Sequence, residues 1–269
     1  MTGIAEQFLA LHRPGAPLLM PNPWDVGSAK LLASLGFEAL ATTSSGFAAT
    51  LGRLDGGVSR EEAIAHAAEI VAATPLPVSA DLEDGFGETP EAVAETVRLA
   101  REAGLAGCSI EDYGGEGGER RIYDAELAAE RVAAAVEAAH AGSERLVLTA
   151  RAENHIRGVD DLADTIARLR SYEQAGADVL FAPGLRDVGQ IRAVVEAVGR
   201  PVNVLMLPDC PPISELAAAG VARISVGGGF AFAALGAVAE AARELREDGT
   251  AGYLEQTMAG SRAARDAFR

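Results

Sequence analysis

The sequence predicts an α/β chain folded as a single (β/α)8 TIM barrel, and three observations carry that expectation. Apolar strand-like runs and amphipathic helical stretches alternate eight times along the chain. The turn after the first strand reads Pro21-Asn22-Pro23-Trp24-Asp25, not the glycine-rich phosphate turn that usually opens a doubly wound sheet. No low-complexity linker divides residues 1–269, so one barrel domain is expected, with a helical tail over about 237–269.

The strands are read at residues 17–21, 39–43, 76–80, 106–110, 146–150, 178–182, 201–205 and 222–226. Between them lie helices at 26–35, 60–73, 90–103, 125–141, 160–174, 187–198 and 213–218. Glycine follows the last helical turn in Leu35-Gly36-Phe37 and Ala103-Gly104-Leu105, where a left-handed backbone would penalise a Cβ. Thr89-Pro90 and Ser59-Arg60-Glu61-Glu62 place hydroxyl caps at two helix starts. After the eighth strand, Gly227-Gly228-Gly229 leads into a helix through Leu245, and a further short helix covers 251–268. That tail exceeds barrel closure and can pack on a neighbouring subunit.

Composition narrows the function. The net charge of −16 argues against nucleic acid, whose phosphates it would repel. No apolar run reaches the length of a membrane span. Residues 1–11 lack a basic stretch followed by an apolar core, so a cytoplasmic protein is expected. Of 23 basic residues only Lys30 is lysine, and it lies in an early helix. A Schiff-base mechanism therefore has almost no candidate. Cys108 reads as a core position inside a strand. Cys210, in a proline-rich loop, has no matching histidine.

In such barrels chemistry sits where the strands end. The third strand runs into Asp81-Leu82-Glu83-Asp84-Gly85-Phe86-Gly87, and the fourth into Glu111-Asp112. Five acids beyond two neighbouring strands call for a cation, and carboxylates favour a hard one. A solvated acidic loop is the plainer reading of either stretch alone. The second strand leads into Thr42-Thr43-Ser44-Ser45-Gly46, whose hydroxyls and amides suit a carboxylate, or form an ordinary polar loop. The fifth strand gives Arg151, either a bidentate fork to an anion or a structural ion pair with the acids nearby. Asn203 lies in the seventh strand, and Ser225 in the eighth. Leu51-Gly52-Arg53-Leu54-Asp55-Gly56-Gly57 is glycine-rich and charged, as a mobile lid is. Asp55 at its centre is a candidate acid or base, or else a turn former.

Taken together these residues resemble the isocitrate lyase/phosphoenolpyruvate mutase superfamily. The resemblance runs from about Pro21 to Gly236. It rests on Trp24-Asp25-Val26-Gly27-Ser28-Ala29, Thr43-Ser44-Ser45-Gly46, Leu51-Gly52-x-x-Asp55-Gly56, Asp81-x-Glu83-x-Gly85-Phe86-Gly87, Ile110-Glu111-Asp112 and Ala150-Arg151. It implies a barrel whose C-terminal helix is commonly swapped between the subunits of a homodimer or homotetramer. It implies Mg²⁺, with Mn²⁺ a possible substitute, held partly through water by Asp81, Glu83 and Glu111. Substrate contacts would come from Trp24, Thr42, Thr43, Ser44, Ser45, Asp81, Arg151 and Asn203. Asp55 and Arg151 would act in catalysis, Asp55 from the gating loop.

One departure from the pattern is informative. Citrate-type lyases carry a Lys-Lys/Arg-Cys-Gly-His loop after the fourth strand, and phosphonate mutases a lysine and an asparagine. Here residues 113–121 contain no Cys, His, Lys or Asn. The resemblance is therefore to a 2-methylisocitrate lyase-like or oxaloacetate decarboxylase-like branch without the catalytic-cysteine loop. The implied activity is Mg²⁺-dependent carbon–carbon lyase or decarboxylase chemistry on a small 2-oxo or 2-hydroxy carboxylic acid, through an enolate. The alternatives are phosphonate P–C mutase or hydrolase chemistry, and a non-catalytic 2-oxo-acid binding protein.

Overall fold

The computed structural model describes residues 3–115, 119–142 and 145–269. Eight parallel strands form its main sheet: β1 (Leu18–Met20), β2 (Leu40–Ala41), β3 (Val78–Asp81), β4 (Gly107–Glu111), β7 (Val147–Arg151), β8 (Val179–Phe181), β9 (Val202–Leu205) and β10 (Arg223–Ser225). Their spatial order is β1-β10-β9-β8-β7-β4-β3-β2. The end strands meet where the Ala41 amide donates to the Pro21 carbonyl at 3.1 Å. Asn22 Nδ2 adds a bond to the Thr42 carbonyl at 2.9 Å, so the sheet closes into a barrel.

Most strands are shorter than the sequence suggests, but three run one residue further. β3, β4 and β7 continue through Asp81, Glu111 and Arg151. The ladder places Glu111 beside Arg151 and Asp81 beside Ser109. The charged side chains are thus fixed by strand pairing rather than carried on loops.

The barrel helices are α2 (Val26–Ser34), α4 (Arg60–Ala73), α5 (Pro90–Glu102), α6 (Ala125–His140), α7 (Leu162–Gln174), α8 (Val188–Ala197) and α9 (Ile213–Ala218). Ser59 and Thr89 cap α4 and α5 as expected, accepting from the Glu62 and Ala92 amides at 3.3 and 3.2 Å. Leu32, Ile70, Val97, Leu148 and Leu180 are buried in the layer between strands and helices.

Several elements are not legible in the sequence. α1 (Ile4–Ala10) plugs the end of the barrel where the strands begin. Phe8 is fully buried there, and Gly107 makes its room: a Cβ on that glycine would lie 2.9 Å from the Phe8 ring. α3 (Ser44–Thr50) begins inside the hydroxyl cluster that reads as a loop. An antiparallel hairpin, β5 (Tyr113–Gly114) with β6 (Arg121–Ile122), rises from the loop that replaces the cysteine motif. Glu116, Gly117 and Gly118 of that loop lie outside the described residues.

The tail is α10 (Gly229–Arg243), a π-helical turn (Glu244–Asp248) and α11 (Leu254–Ala267). α11 packs on α2. α10 leaves Phe232, Leu235 and Val238 exposed, with Ala231 its one buried apolar side chain. Among the described residues no helix is long and apolar enough to cross a membrane.

Candidate active site

Asp81 ends β3 in a fixed position. Its amide donates to Thr42 Oγ1 at 2.9 Å. Its Oδ2 accepts from the Ser44 amide and hydroxyl at 3.2 and 3.1 Å. Its Oδ1 accepts from Arg151 at 2.9 Å. The Ser44 donors that the sequence offers to a substrate carboxylate are therefore engaged by Asp81. Thr43 caps α3, accepting from the Gly46 amide at 3.3 Å.

Beyond Asp81 the backbone is strained. Glu83 has φ +48° and Phe86 φ +59°, both in the left-handed region that side chains disfavour. Such residues cost roughly 1–3 kcal/mol each and cluster at functional sites. Asp84 holds the loop in place, accepting from the Phe86 amide and the Tyr123 hydroxyl at 3.0 Å each. Asp112 is likewise architectural. It accepts from the Glu153 amide at 2.8 Å, Tyr172 at 2.6 Å and Arg168 at 3.1 Å.

Arg151 lies within 2.9 Å of Asp81, 3.0 Å of Glu111 and 2.8 Å of Glu153. Its fork is held by protein carboxylates, so it is a structural hub as well as part of the cavity wall. Two further arginines escape the sequence reading. Arg157, on a 3₁₀ turn (His155–Arg157), reaches Glu153 at 2.9 Å and Glu111 at 3.5 Å. Arg120, beside β6, reaches Glu83 at 3.2 Å and Glu111 at 3.8 Å. Burial, with the charges of Asp81 and Asp55, pushes the Glu83 carboxyl up to about 7. Burial also pushes Glu111 well up, despite Arg151 alongside. Burial opposes the charge on Arg151, yet Glu111, Glu153 and Asp81 hold it well above the usual arginine range.

A cavity of about 270 Å³ opens inside this ring. Thr42, Thr43, Ser44, Ser45, Asp55, Asp81, Arg151 and Asn203 line it, bringing most of the expected substrate set together. Glu83 and Glu111 stand outside its lining, behind Asp81 and Arg151. Trp24 also lies outside it; its carbonyl faces His66 Nε2 at 3.0 Å and its Cβ lies against Gly46. Among the described residues no three His, Cys, Asp or Glu side chains form a direct metal cage. The Asp55 loop is seated on the rim. Gly56 has φ +78°, and a Cβ there would lie 2.3 Å from the Arg120 guanidinium. Neither cysteine lines the cavity, and Lys30 lies on α2.

The chain matches the phosphoenolpyruvate phosphomutase family model over residues 8–246. A lyase/mutase candidate from Burkholderia cenocepacia superposes with TM-score 0.92 at 53% identity, covering 97% of this chain and 95% of that one. A 2,3-dimethylmalate lyase superposes with TM-score 0.83 at 30% identity, over 94% and 90% of the two chains. The 2-methylisocitrate lyase of Escherichia coli is 30% identical, over 93% of this chain and 90% of its own. The match spans the strands, the acidic strand ends and the Asp55 loop alike, and the protein belongs to the phosphoenolpyruvate phosphomutase family, an enzyme of the isocitrate lyase/phosphoenolpyruvate mutase superfamily.

Proposed function

We propose that the protein is a Mg²⁺-dependent carbon–carbon lyase or decarboxylase acting on a small 2-oxo or 2-hydroxy carboxylic acid. One observation carries this reading: the cavity mouth joins Asp81, Arg151 and Asp55 and, among the described residues, contains no thiol or lysine. Cleavage beside a carbonyl needs an electron acceptor, and oxygen ligands are what this mouth offers.

The donor set fits a hydrated hard cation rather than a caged one. Asp55, Asp81 and Glu153 line the cavity, and Glu83 and Glu111, just outside its lining, would accept from water on the ion. Burial first, and then the charges of Asp81 and Asp55, raise the Glu83 carboxyl, and a cation would offset the part due to those charges. Bound there, Mg²⁺ would supply Lewis-acid polarisation of the substrate oxygen. Arg151 and Arg157 line the same cavity, Arg151 directly beside Asp81. The Asp55 loop excludes water and holds a carboxyl over the mouth for proton transfer.

NMR of product formation from a panel of 2-oxo and 2-hydroxy diacids, with and without Mg²⁺, tests this. Saturable binding without turnover would select the binding-protein alternative, and turnover of phosphonopyruvate alone the phosphonate one. Asp55→Asn should lower the rate by roughly 10²-fold or more. Asp55 is exposed, so stability should move by no more than ~0.5 kcal/mol. An Asp55→Asn enzyme of full activity would reduce this residue to a turn former.

We also propose a homo-oligomer, a dimer or tetramer, in which a second copy covers α10. The exposed Phe232, Leu235 and Val238 support it, since such a stripe is costly in water. Light scattering at micromolar concentration should give a multiple of the chain mass. A monomer would contradict it.

A further inference from the structure

Below the mouth the barrel interior does not become apolar at once. Ser79, Ser109, Asn203 and Arg223 line the lower cavity. Arg223 is only 2% exposed, and its Nη1 donates to Thr149 Oγ1 at 3.1 Å. Thr149 lies two residues before Arg151 on β7, so this guanidinium sits one inward layer down, about 7 Å along the strand.

Among the described residues no carboxylate pairs with Arg223; its other partner is His12 Nε2 at 3.3 Å. His12 Nδ1 lies 3.0 Å from the Phe8 carbonyl and must donate to it, leaving Nε2 to accept from Arg223. Burial, then Arg223 itself, pushes His12 down to about 3, so the imidazole is neutral. Burial, then the charge of Arg151, pushes Arg223 down to about 9, still cationic at neutral pH. Arg223 Nε is buried without a hydrogen-bond partner. Asn203 faces Arg223 in register across β9 and β10, and its Oδ1 is also buried without a partner. Asn203 Nδ2 contacts Ser225 Oγ at 3.0 Å. That hydroxyl can instead donate to Oδ1, so a flipped amide would turn its N–H₂ to the cavity. A buried cation without an anion is unfavourable unless something supplies one.

Resting on the lyase reading of the mouth, we propose that Arg223 and Asn203 form a carboxylate subsite in the cavity floor. The substrate is then a dicarboxylic acid, its second carboxylate reaching down the barrel to Arg223. Arg223 would set specificity and take no part in bond cleavage. A four-carbon diacid has the length to bridge the two layers.

Isothermal titration with Mg²⁺ present can use succinate and butyrate, matched in length and differing by one carboxylate. Wild type should bind succinate tighter by roughly 10- to 100-fold, the worth of a charge-assisted hydrogen-bonded contact. Arg223→Met should erase that preference and leave butyrate affinity unchanged. Without ligand its unfolding midpoint should equal or exceed wild type, because a desolvated charge is gone. An undiminished preference in Arg223→Met would overturn the subsite. So would a large loss of ligand-free stability, which would make Arg223 a structural core residue. Should Arg223→Met not fold at all, Arg223→Lys decides: it keeps the charge without the fork, and an unchanged preference overturns the subsite. Binding of both acids without preference sinks the floor alone. Binding of neither sinks the reading of the mouth as a carboxylate site.

Discussion

Arg151→Gln should destabilise the protein by about 3–5 kcal/mol, the range for breaking one side of a buried ion pair. Arg151 faces Asp81, Glu111 and Glu153 within 3.0 Å, and its side chain is 15% exposed. Glutamine can donate one or two hydrogen bonds but no charge, so Asp81 would lose its arginine, Glu153 would keep Arg157 alone, and Glu111 only the longer contacts to Arg157 and Arg120. The loss should be greatest near pH 8 and shrink toward pH 5. With Arg151 gone, the buried Glu111 carboxyl rises further and protonates on acidification, removing the repulsion. Urea unfolding at the two pH values measures this. A loss below ~1 kcal/mol at pH 8 would mean that water already screens the cluster. Activity should fall as well, since Asp81 takes its position from Arg151.

The parts of this site that lie on strands are readable, because periodicity and strand ends locate them. Asp81, Glu111 and Arg151 each fall one residue beyond an expected strand, and the ladder carries them to one mouth. The residues that balance them lie where pattern is silent. Arg120 follows a glycine-rich stretch and Arg157 sits on a single 3₁₀ turn, so nothing local marks either as facing Glu111. The hydroxyl run from Thr42 to Ser45 reads as loop because its residues favour turns as readily as a helix N-terminus. There Thr43 caps α3 and Ser44 holds Asp81. Position in a motif places Trp24 at the substrate, yet the chain turns it toward α3 and α4. Arg223 does leave a trace. In Ala222-Arg223-Ile224-Ser225 the polar residues alternate, which puts an arginine on the inner face of a barrel strand.

Removing divalent cations with EDTA should abolish turnover and weaken substrate binding together, and Mg²⁺ or Mn²⁺ should restore both. The sequence sets three carboxylates against one arginine; the structure alters that balance without reversing its sign. Asp55, Asp81, Glu83, Glu111 and Glu153 gather around Arg120, Arg151 and Arg157, with Arg223 below them, an excess of one negative charge when all are ionised. An anionic substrate meets that excess unless a cation offsets it. The same crowding gives a test that does not depend on activity. The folded-state Glu83 carboxyl is raised from 4.5 to about 7, so the folded protein holds a proton that the unfolded chain has released. Stability of the stripped protein should therefore fall as pH rises from about 4.5 through about 7, and level off above. Each tenfold change in proton affinity between the folded and unfolded chain is worth about 1.4 kcal/mol, so the fall should be on the order of 3 kcal/mol. Mg²⁺ at pH 8 should recover much of it, and Glu83→Gln should flatten the profile without metal. A stripped sample that keeps full activity would end the metal reading. A flat profile in the stripped wild type would show instead that Glu83 is already neutralised by Arg120.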